Sequence, residues 1–210
     1  GFYYKPRIDY ELLEQHTEGL VCLSACLAGD VQRLLMQNDY VGAKRMAQRL
    51  KDMFGPDFYL ELQDHGIPEQ QRINPLILKL ADELDVKPVA TNDVHYVNRE
   101  DAYAQKVLMC IQTVTTIDQP SKMAFETEEF YLKSPKEMSR LFSYVPEAVS
   151  NTREVAEKCN LEFEFGNNHL PEFKVPEGYT NREYLRHIAE AGLRERYPDL
   201  SDEIQERFDY

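Results

Sequence analysis

Residues 58–62 read FYLEL, residues 68–84 read PEQQRINPLILKLADEL, and residues 87–91 read KPVAT. The first and third stretches are short apolar runs typical of buried strands, whereas the second carries apolar residues at helical spacing. Two neighbouring strands that are joined by a crossover helix pair in parallel. This strand–helix–strand unit predicts an α/β fold with a parallel sheet, either an open sheet or part of a barrel.

The same alternation of strand and helix is predicted on the N-terminal side of this unit. Residues 19–24, GLVCLS, form another short apolar run typical of a buried strand. Further stretches with apolar residues at helical spacing predict helices at residues 10–15, 27–36, 40–54 and 99–112. The patterns therefore predict an α/β body over residues 1–113.

The sequence changes in character after this body. Residues 113–127 are polar and contain Pro120, which predicts an irregular connection. Ser134, followed by Pro135 and Glu137, is typical of the capped start of a helix. Helices are also predicted at residues 146–158, at residues 180–196 and from residue 201 onward.

These patterns divide the chain into segments. The α/β body and a helical appendage at residues 114–165 together form one expected domain, residues 1–165. A turn-rich linker is expected at residues 166–179, and the helices at residues 180–210 are expected to open another domain. The N-terminus, GFYYKP, has neither an initiator Met nor the apolar core of a signal peptide, so we expect the chain to be a piece of a longer protein.

Composition and charge restrict the class of protein. Of the 210 residues 42% are hydrophobic, and 24 Lys and Arg stand against 37 Asp and Glu, for a net charge of −13. No run approaches the roughly 18 apolar residues of a membrane span. The acidic balance argues against a domain that grips a phosphate backbone over its whole surface, but it allows a local metal site. Four scattered cysteines predict no disulfide framework and a reducing cytoplasm.

The clearest candidate site is the stretch ATNDVHY at residues 90–96, which follows a predicted strand. The carboxyl edge of a parallel sheet is where α/β folds collect their functional residues. Asp93 and His95 are two residues apart, so on extended backbone their side chains point the same way and can share a divalent metal such as zinc or manganese. The motif is also compatible with an Asx turn at Asn92 or Asp93 that leaves His95 exposed.

Two other predicted strands end in residues of the same kind. Glu61 and His65 lie in the stretch LELQDHG, residues 60–66, and Cys26 follows the strand at residues 19–24. A thiolate there would be a soft ligand for a metal already held by Asp93 and His95. Each residue also has an ordinary alternative: Glu61 as a strand residue paired with Lys or Arg, His65 as a loop residue, and Cys26 as a packed thiol.

Several stretches, taken in this order, resemble the bacterial replicative DNA polymerase III alpha subunits. They are GFYYKPRID at residues 1–9, LSACLAG at residues 23–29, FYLELQDHG at residues 58–66, ATNDVHY at residues 90–96 and FYLKSP at residues 130–135. The resemblance covers essentially the whole chain. It implies a PHP (polymerase and histidinol phosphatase) domain, a distorted seven-stranded (β/α) barrel, of which residues 1–165 would be the later part. It also implies that residues 180–210 begin the polymerase palm.

The resemblance further implies a metal site at the carboxyl edge of that barrel. Family members bind up to three metal ions there, and three ligands of the pattern map onto Cys26, Asp93 and His95. Zinc or manganese is the expected metal, and 3′–5′ exonuclease or other phosphoester hydrolysis is the implied activity. Glu61 and His65 map onto no metal ligand, so we expect them to act around the ligands or on the substrate side.

The parent protein implied by the resemblance is a cytoplasmic, Mg²⁺-dependent, DNA-directed DNA polymerase. Its expected partners are DNA, deoxynucleotides, the sliding clamp, the clamp loader and a proofreading subunit. The family's early His-x-His motif and its palm carboxylates have no counterpart in this chain. We therefore expect the chain alone to be inactive. We also expect it to bind metal weakly, because three ligands on one side of the metal leave its coordination incomplete.

Two alternatives remain open on the sequence. One is a free-standing PHP phosphoesterase of the histidinol-phosphatase type, against which the extension from residue 130 onward argues. The other is a purely structural PHP scaffold, against which the presence of Cys26, Asp93 and His95 argues.

Overall fold

The computed structural model describes residues 2–119, 125, 127–168 and 170–210. Gly1 and Pro120, on which parts of the sequence analysis fall, lie outside these ranges. The chain divides into two compact units, Gly1–Leu161 and Glu162–Tyr210. The first unit contains the described strands and the helices up to residue 158, and the second contains the last two helices.

The chain begins with a short antiparallel hairpin that the sequence patterns did not predict. β1 (Phe2–Tyr3) pairs with β2 (Lys5–Pro6) across Tyr4, whose φ of 58° turns the chain back on itself. Strands of two residues are too short to show an alternation of apolar and polar residues, so periodicity does not reveal them.

The first unit is built on a three-stranded parallel sheet. Its strands are β3 (Cys22–Leu23), β4 (Phe58–Leu62) and β5 (Pro88–Ala90), in the order β3-β4-β5. This sheet confirms the predicted α/β class and the parallel pairing. β3 is shorter than the predicted strand at residues 19–24. A turn closed by the hydrogen bond from the Leu20 nitrogen to the Thr17 carbonyl oxygen, with Gly19 at a φ of 74°, occupies its start, and Ala25 turns the chain away after Ser24 with a left-handed φ of 67°.

The helices lie close to their predicted ranges, since capping residues, Gly and Pro mark their ends. They are α1 (Tyr10–Glu14), α2 (Asp30–Met36), α3 (Tyr40–Phe54), α4 (Pro68–Leu84), α5 (Ala102–Thr113), α6 (Pro135–Leu141), α7 (Pro146–Lys158), α8 (Asn181–Arg196) and α9 (Asp202–Asp209). α2 begins three residues later than predicted. There the backbone nitrogen of Gly29 donates to the carbonyl oxygen of Cys26 at 2.8 Å, which closes a turn in place of the first helical turn.

The hydrophobic core packs one face of β4 against the helices. Phe58, Leu60 and Leu62 join a cluster of buried apolar side chains that includes residues of α2, α3, α4 and α7. Every residue of β4 is buried. Both faces of this strand are therefore covered, as expected for the central strand of a parallel sheet.

α7 is fastened to the edge of the sheet by polar contacts. The hydroxyl of Tyr59 donates to Glu154 Oε1 at 2.7 Å, and the Lys87 ammonium lies 2.6 Å from Glu154 Oε2. The side-chain amide of Asn151 donates to the carbonyl oxygen of Pro88 at 2.8 Å. The helical segment after residue 113 is thus packed as part of the same compact unit as the α/β body.

The second unit is held by contacts between its own loop and helices. α8 begins with a capping box in which the side chains of Thr180 and Glu183 each accept a backbone hydrogen bond. Phe173 stacks on Tyr184 with ring centroids 5.9 Å apart. Among the helices that the structure describes, none is both long and apolar enough to cross a membrane.

Candidate functional site

The predicted site residues follow the carboxyl ends of three adjacent parallel strands. Cys26 comes three residues after β3, His65 three residues after β4, and Asp93 and His95 shortly after β5, while Glu61 lies near the end of β4 itself. The parallel order of the strands brings these segments to one edge of the sheet. This is the edge at which α/β folds place their sites.

The loop after β5 gives Asp93 and His95 defined conformations. Asp93 has a left-handed φ of 42°, which Asp tolerates better than most residues. His95 Nδ1 lies 2.7 Å from the carbonyl oxygen of Asp93 and 4.0 Å from its carboxylate Oδ1. A carbonyl oxygen can only accept a hydrogen bond, so Nδ1 carries the proton and Nε2 is the nitrogen with a lone pair. This tautomer is the one that suits a metal ligand bound through Nε2.

A segment from much later in the chain lies alongside this loop. The backbone nitrogen of His95 donates to the carbonyl oxygen of Phe130 at 2.9 Å, and that of Leu132 donates to the carbonyl oxygen of Tyr96 at 3.2 Å. Tyr96 and Tyr131 form an isolated parallel bridge. Residues 130–132 are therefore hydrogen-bonded to residues 95–97, which include the candidate ligand His95.

Asn92 connects the same two segments through its side chain. Its Nδ2 donates to the carbonyl oxygens of Tyr131 at 2.6 Å and Glu129 at 3.2 Å. Because both partners are carbonyl oxygens, the amide nitrogen must face them. Asn92 Oδ1 accepts no hydrogen bond from the described residues, so no Asx turn forms at Asn92, while His95 is exposed, as the Asx-turn alternative expected. The Asx turn lies instead at Asp64, whose carboxylate accepts a hydrogen bond from the backbone nitrogen of Gly66 at 2.9 Å.

His65 lies in the loop after β4, as the alternative of a loop residue expected, but its side chain is fully buried. Its Nε2 lies 2.9 Å from the carbonyl oxygen of Asn92, its Nδ1 lies 2.8 Å from Gln70 Nε2, and its ring stacks on Phe130 with centroids 3.9 Å apart. The carbonyl partner requires the proton on Nε2, and Nδ1 then accepts from Gln70. Burial lowers the pKa of His65 below its ordinary value, with the nearby Lys133 acting in the same direction.

The lowered pKa of His65 predicts a pH-dependent stability. The folded state binds a proton at His65 less readily than the unfolded state does, so the stabilisation is complete above about pH 6.5. It is lost as the pH falls from there through the lower folded-state pKa. Urea unfolding of this chain between pH 8 and pH 5 should show a larger loss of unfolding free energy for the wild type than for His65→Gln, which cannot titrate. Parallel curves for the two proteins would contradict the prediction, because every other titrating group is common to both.

Glu61 is a buried carboxylate that ties β4 to the chain after β5. It is 8% exposed, and it accepts hydrogen bonds from Gln63 Nε2 at 2.8 Å and from the hydroxyl of Thr91. Within the described ranges no Lys or Arg pairs with it, so the alternative of an ordinary paired strand residue is not observed. Its partner Thr91 lies two residues before Asp93, so Glu61 contacts the chain just ahead of the Asp93 loop.

Cys26 lies in the tight loop between β3 and α2. The Gln32 side chain holds this loop, since its Nε2 donates to Ser24 Oγ at 2.7 Å and to the carbonyl oxygen of Ala25 at 2.9 Å. Gly29 is required there, because a Cβ at this position would lie 2.2 Å from the carbonyl oxygen of Ser24. Cys22 lies in β3 itself, and burial raises the pKa of its thiol to about 11.

 The Cys22 thiol is therefore protonated at neutral pH, and it lies within the strand rather than after its carboxyl end, where Cys26 lies.

The three predicted ligands follow strands that end at one edge of the sheet, but their side chains do not converge on one point. Among the residues that the structure describes, no three His, Cys, Asp or Glu side chains form a group that could hold a metal ion. Asp93 and His95 are adjacent, and Cys26 lies on the loop after the far strand of the sheet. A thiol, a carboxylate and an imidazole are nevertheless donors that suit zinc or manganese. The metal-binding role of Cys26, Asp93 and His95 stays a prediction.

Sequence patterns do not reveal the residues that hold the site together. They predict Asn92 only as a turn former, and they predict no role at the site for Gln70 or Phe130. Gln70 is one of several polar residues on an amphipathic helix, where nothing in the pattern distinguishes it. The short apolar run at Phe130 and Tyr131, after a polar stretch, was the one available signal of a further strand-like segment.

Comparison with known proteins gives consistent matches along the chain. The family model described as PHP domain matches residues 1–65. The DNA polymerase III subunit alpha of Treponema pallidum is 44% identical over 212 residues, and that of Borreliella burgdorferi is 45% identical over 212 residues. Each alignment covers 100% of this chain and 18% of the relative. The Thermus aquaticus subunit is 40% identical over 205 residues, which are 95% of this chain and 17% of the relative.

These matches confirm the resemblance to DNA polymerase III alpha subunits. They extend over both compact units, including the residues after 130. The chain spans somewhat less than a fifth of the length of these curated relatives.

Proposed function

Because this chain is homologous along its whole length to one segment of bacterial DNA polymerase III alpha subunits, we propose that it works as part of such a subunit, in template-directed DNA synthesis. In this proposal residues 1–165 form the later part of a barrel-like PHP domain, residues 166–179 are a linker, and residues 180–210 begin the palm. The parallel sheet and the PHP match at residues 1–65 support the first of these assignments.

In this proposal the candidate site contributes part of the ligand set of a metal centre. Cys26, Asp93 and His95 would hold zinc or manganese together with ligands from outside this chain, and such a metal supplies Lewis-acid chemistry for phosphoester hydrolysis. The observation that carries the proposal is the Nδ1 contact of His95 with the Asp93 carbonyl oxygen, which leaves Nε2 as the coordinating nitrogen. The proposed activity of the full subunit at this site is a 3′–5′ exonuclease.

In this proposal Glu61 positions the metal ligands and takes no direct part in the reaction. Glu61 fixes Thr91 by a hydrogen bond, and so holds the strand edge from which the Asp93 loop departs. The chain by itself has neither the remaining PHP ligands nor the palm carboxylates, so we propose that it is inactive in isolation. In the full subunit, DNA, deoxynucleotides with Mg²⁺, the clamp, the clamp loader and a proofreading subunit are the proposed partners, in the cytoplasm.

A purely structural PHP domain is the second candidate. It is favoured by the observation that no three-ligand group is assembled within the described part of the chain. A free-standing phosphoesterase is disfavoured, because polymerase relatives match the chain through its second unit as well as its first.

Metal removal from the full subunit separates these candidates. We expect that dialysis against a chelator abolishes the shortening of 5′-labelled single-stranded DNA from its 3′ end, and that zinc or manganese restores it. Polymerase activity, assayed afterwards with Mg²⁺, serves as the control for intact protein. Shortening that survives chelation, or that metal does not restore, would overturn the metal-dependent proposal in favour of the structural one.

A further inference from the structure

The sheet ladder ends just before the loop that carries Asp93 and His95. The backbone nitrogen of Thr91 donates to the carbonyl oxygen of Leu62 at 3.0 Å. Beyond this bond the loop is held by side chains and by its pairing with residues 130–132. A buried backbone carbonyl at this point needs a donor, since leaving it without one is costly.

His65 supplies that donor to Asn92. Its Nε2 lies 2.9 Å from the Asn92 carbonyl oxygen, and its own backbone nitrogen donates to Gln70 Oε1 at 2.8 Å. The Gln70 side chain also engages His65 Nδ1, so both ring nitrogens are occupied and the ring is fixed in orientation. Gln70 lies in the first turn of α4. The start of α4 is therefore connected through His65 to Asn92, the residue before Asp93.

Asn92 and His65 also contact the segment of residues 129–132. The Asn92 side chain donates to two carbonyl oxygens of that segment, and Phe130 stacks on His65 while its own carbonyl oxygen accepts from the backbone nitrogen of His95. The Phe130 ring also meets the His95 ring edge-on, at 5.6 Å between centroids. The loop is thus held on one side by His65 and on the other by the 129–132 segment.

We propose that His65 and Asn92 are positioning residues, which hold the Asp93–His95 loop in the conformation that presents its carboxylate and imidazole to a metal. This inference rests on the proposed metal site for its consequence, although the holding of the loop itself can be measured without metal. A leucine at position 65 would fill a similar volume without donating a hydrogen bond, whereas a glutamine would retain a donor.

The test uses the full subunit that carries this chain, in three variants. His65→Leu removes the donor, and His65→Gln is the conservative variant. Leu35→Ala truncates a fully buried side chain of α2 and serves as a control for general destabilisation. In metal-free protein, His65→Leu should speed amide exchange at His95 and Leu132 by roughly 10- to 100-fold, because a buried hydrogen bond is lost. His65→Gln should stay closer to the wild type, and Leu35→Ala should show no selective effect at these two amides.

Zinc or manganese titration then measures the consequence for the ligands. His65→Leu should weaken metal binding about 10- to 100-fold, the usual cost of removing a group that orients a ligand, with recovery in His65→Gln. Unchanged exchange at His95 and Leu132 in His65→Leu overturns the inference, and so does faster exchange with unchanged metal affinity. If the wild type binds no metal while the two amides respond as expected, the positioning of the loop stands and the proposed metal function fails.

Discussion

Asp93→Asn in the full subunit is expected to lower the exonuclease rate by more than about 100-fold, because even groups that only orient a metal ligand are worth 10- to 100-fold. Asn tolerates the left-handed backbone that Asp93 adopts at φ 42°, so the substitution removes the charge and keeps the loop. The rate is measured on 5′-labelled single-stranded DNA with saturating zinc or manganese.

Asp85 offers a matched control for this substitution. It also has a left-handed φ, of 48°, but it lies at the end of α4 rather than at the carboxyl edge of the sheet. Asp85→Asn should therefore leave the exonuclease rate unchanged. An equal loss in both variants would show a general effect on folding, and no loss in Asp93→Asn would remove Asp93 from the proposed site.

Phe142→Ala is expected to destabilise the first unit by about 3–5 kcal/mol, the usual cost of truncating a buried aromatic side chain. Phe142 is fully buried in the core cluster at the junction between α6 and α7. Its loss would leave a cavity between the helical segment and the α/β body. Urea unfolding of this chain, followed by circular dichroism, measures the change in the free energy of unfolding.

Leu108→Ala is the control for this second prediction. Leu108 lies on α5 in the same unit and is 60% exposed, so its truncation should change the free energy of unfolding by no more than about 0.5 kcal/mol. A similarly small effect of Phe142→Ala would contradict the packing of the helices after residue 113 into one core with the sheet.

The elements with strong local signals were predictable from the sequence. α3 is bounded by Asp39 and by the Gly55-Pro56 pair, and the predicted ranges of β4 and α4 agree with the structure. The two helices are long enough to show a clear period, and β4 is a largely apolar run bounded by turn-forming residues. The hairpin of β1 and β2 and the bridge between Tyr96 and Tyr131 were not predictable, because one- and two-residue pairings leave no pattern.

The candidate site was predictable in its position but not in its internal contacts. That Cys26, Asp93 and His95 share one edge follows from the parallel order of the strands. The burial of His65 depends on Gln70, Asn92 and Phe130, which come from three separate segments of the chain. Contacts between distant segments are decided by tertiary packing, which local sequence patterns do not encode.

If this chain supplies ligands to a metal centre, elemental analysis of the purified full subunit will detect the metal. We expect bound zinc or manganese in the wild type, a clear loss of metal in Cys26→Ala, and no loss in Cys22→Ala, whose thiol lies in β3 with a pKa raised by burial. A folded wild-type subunit without metal, or equal metal content in all three proteins, would contradict the claim.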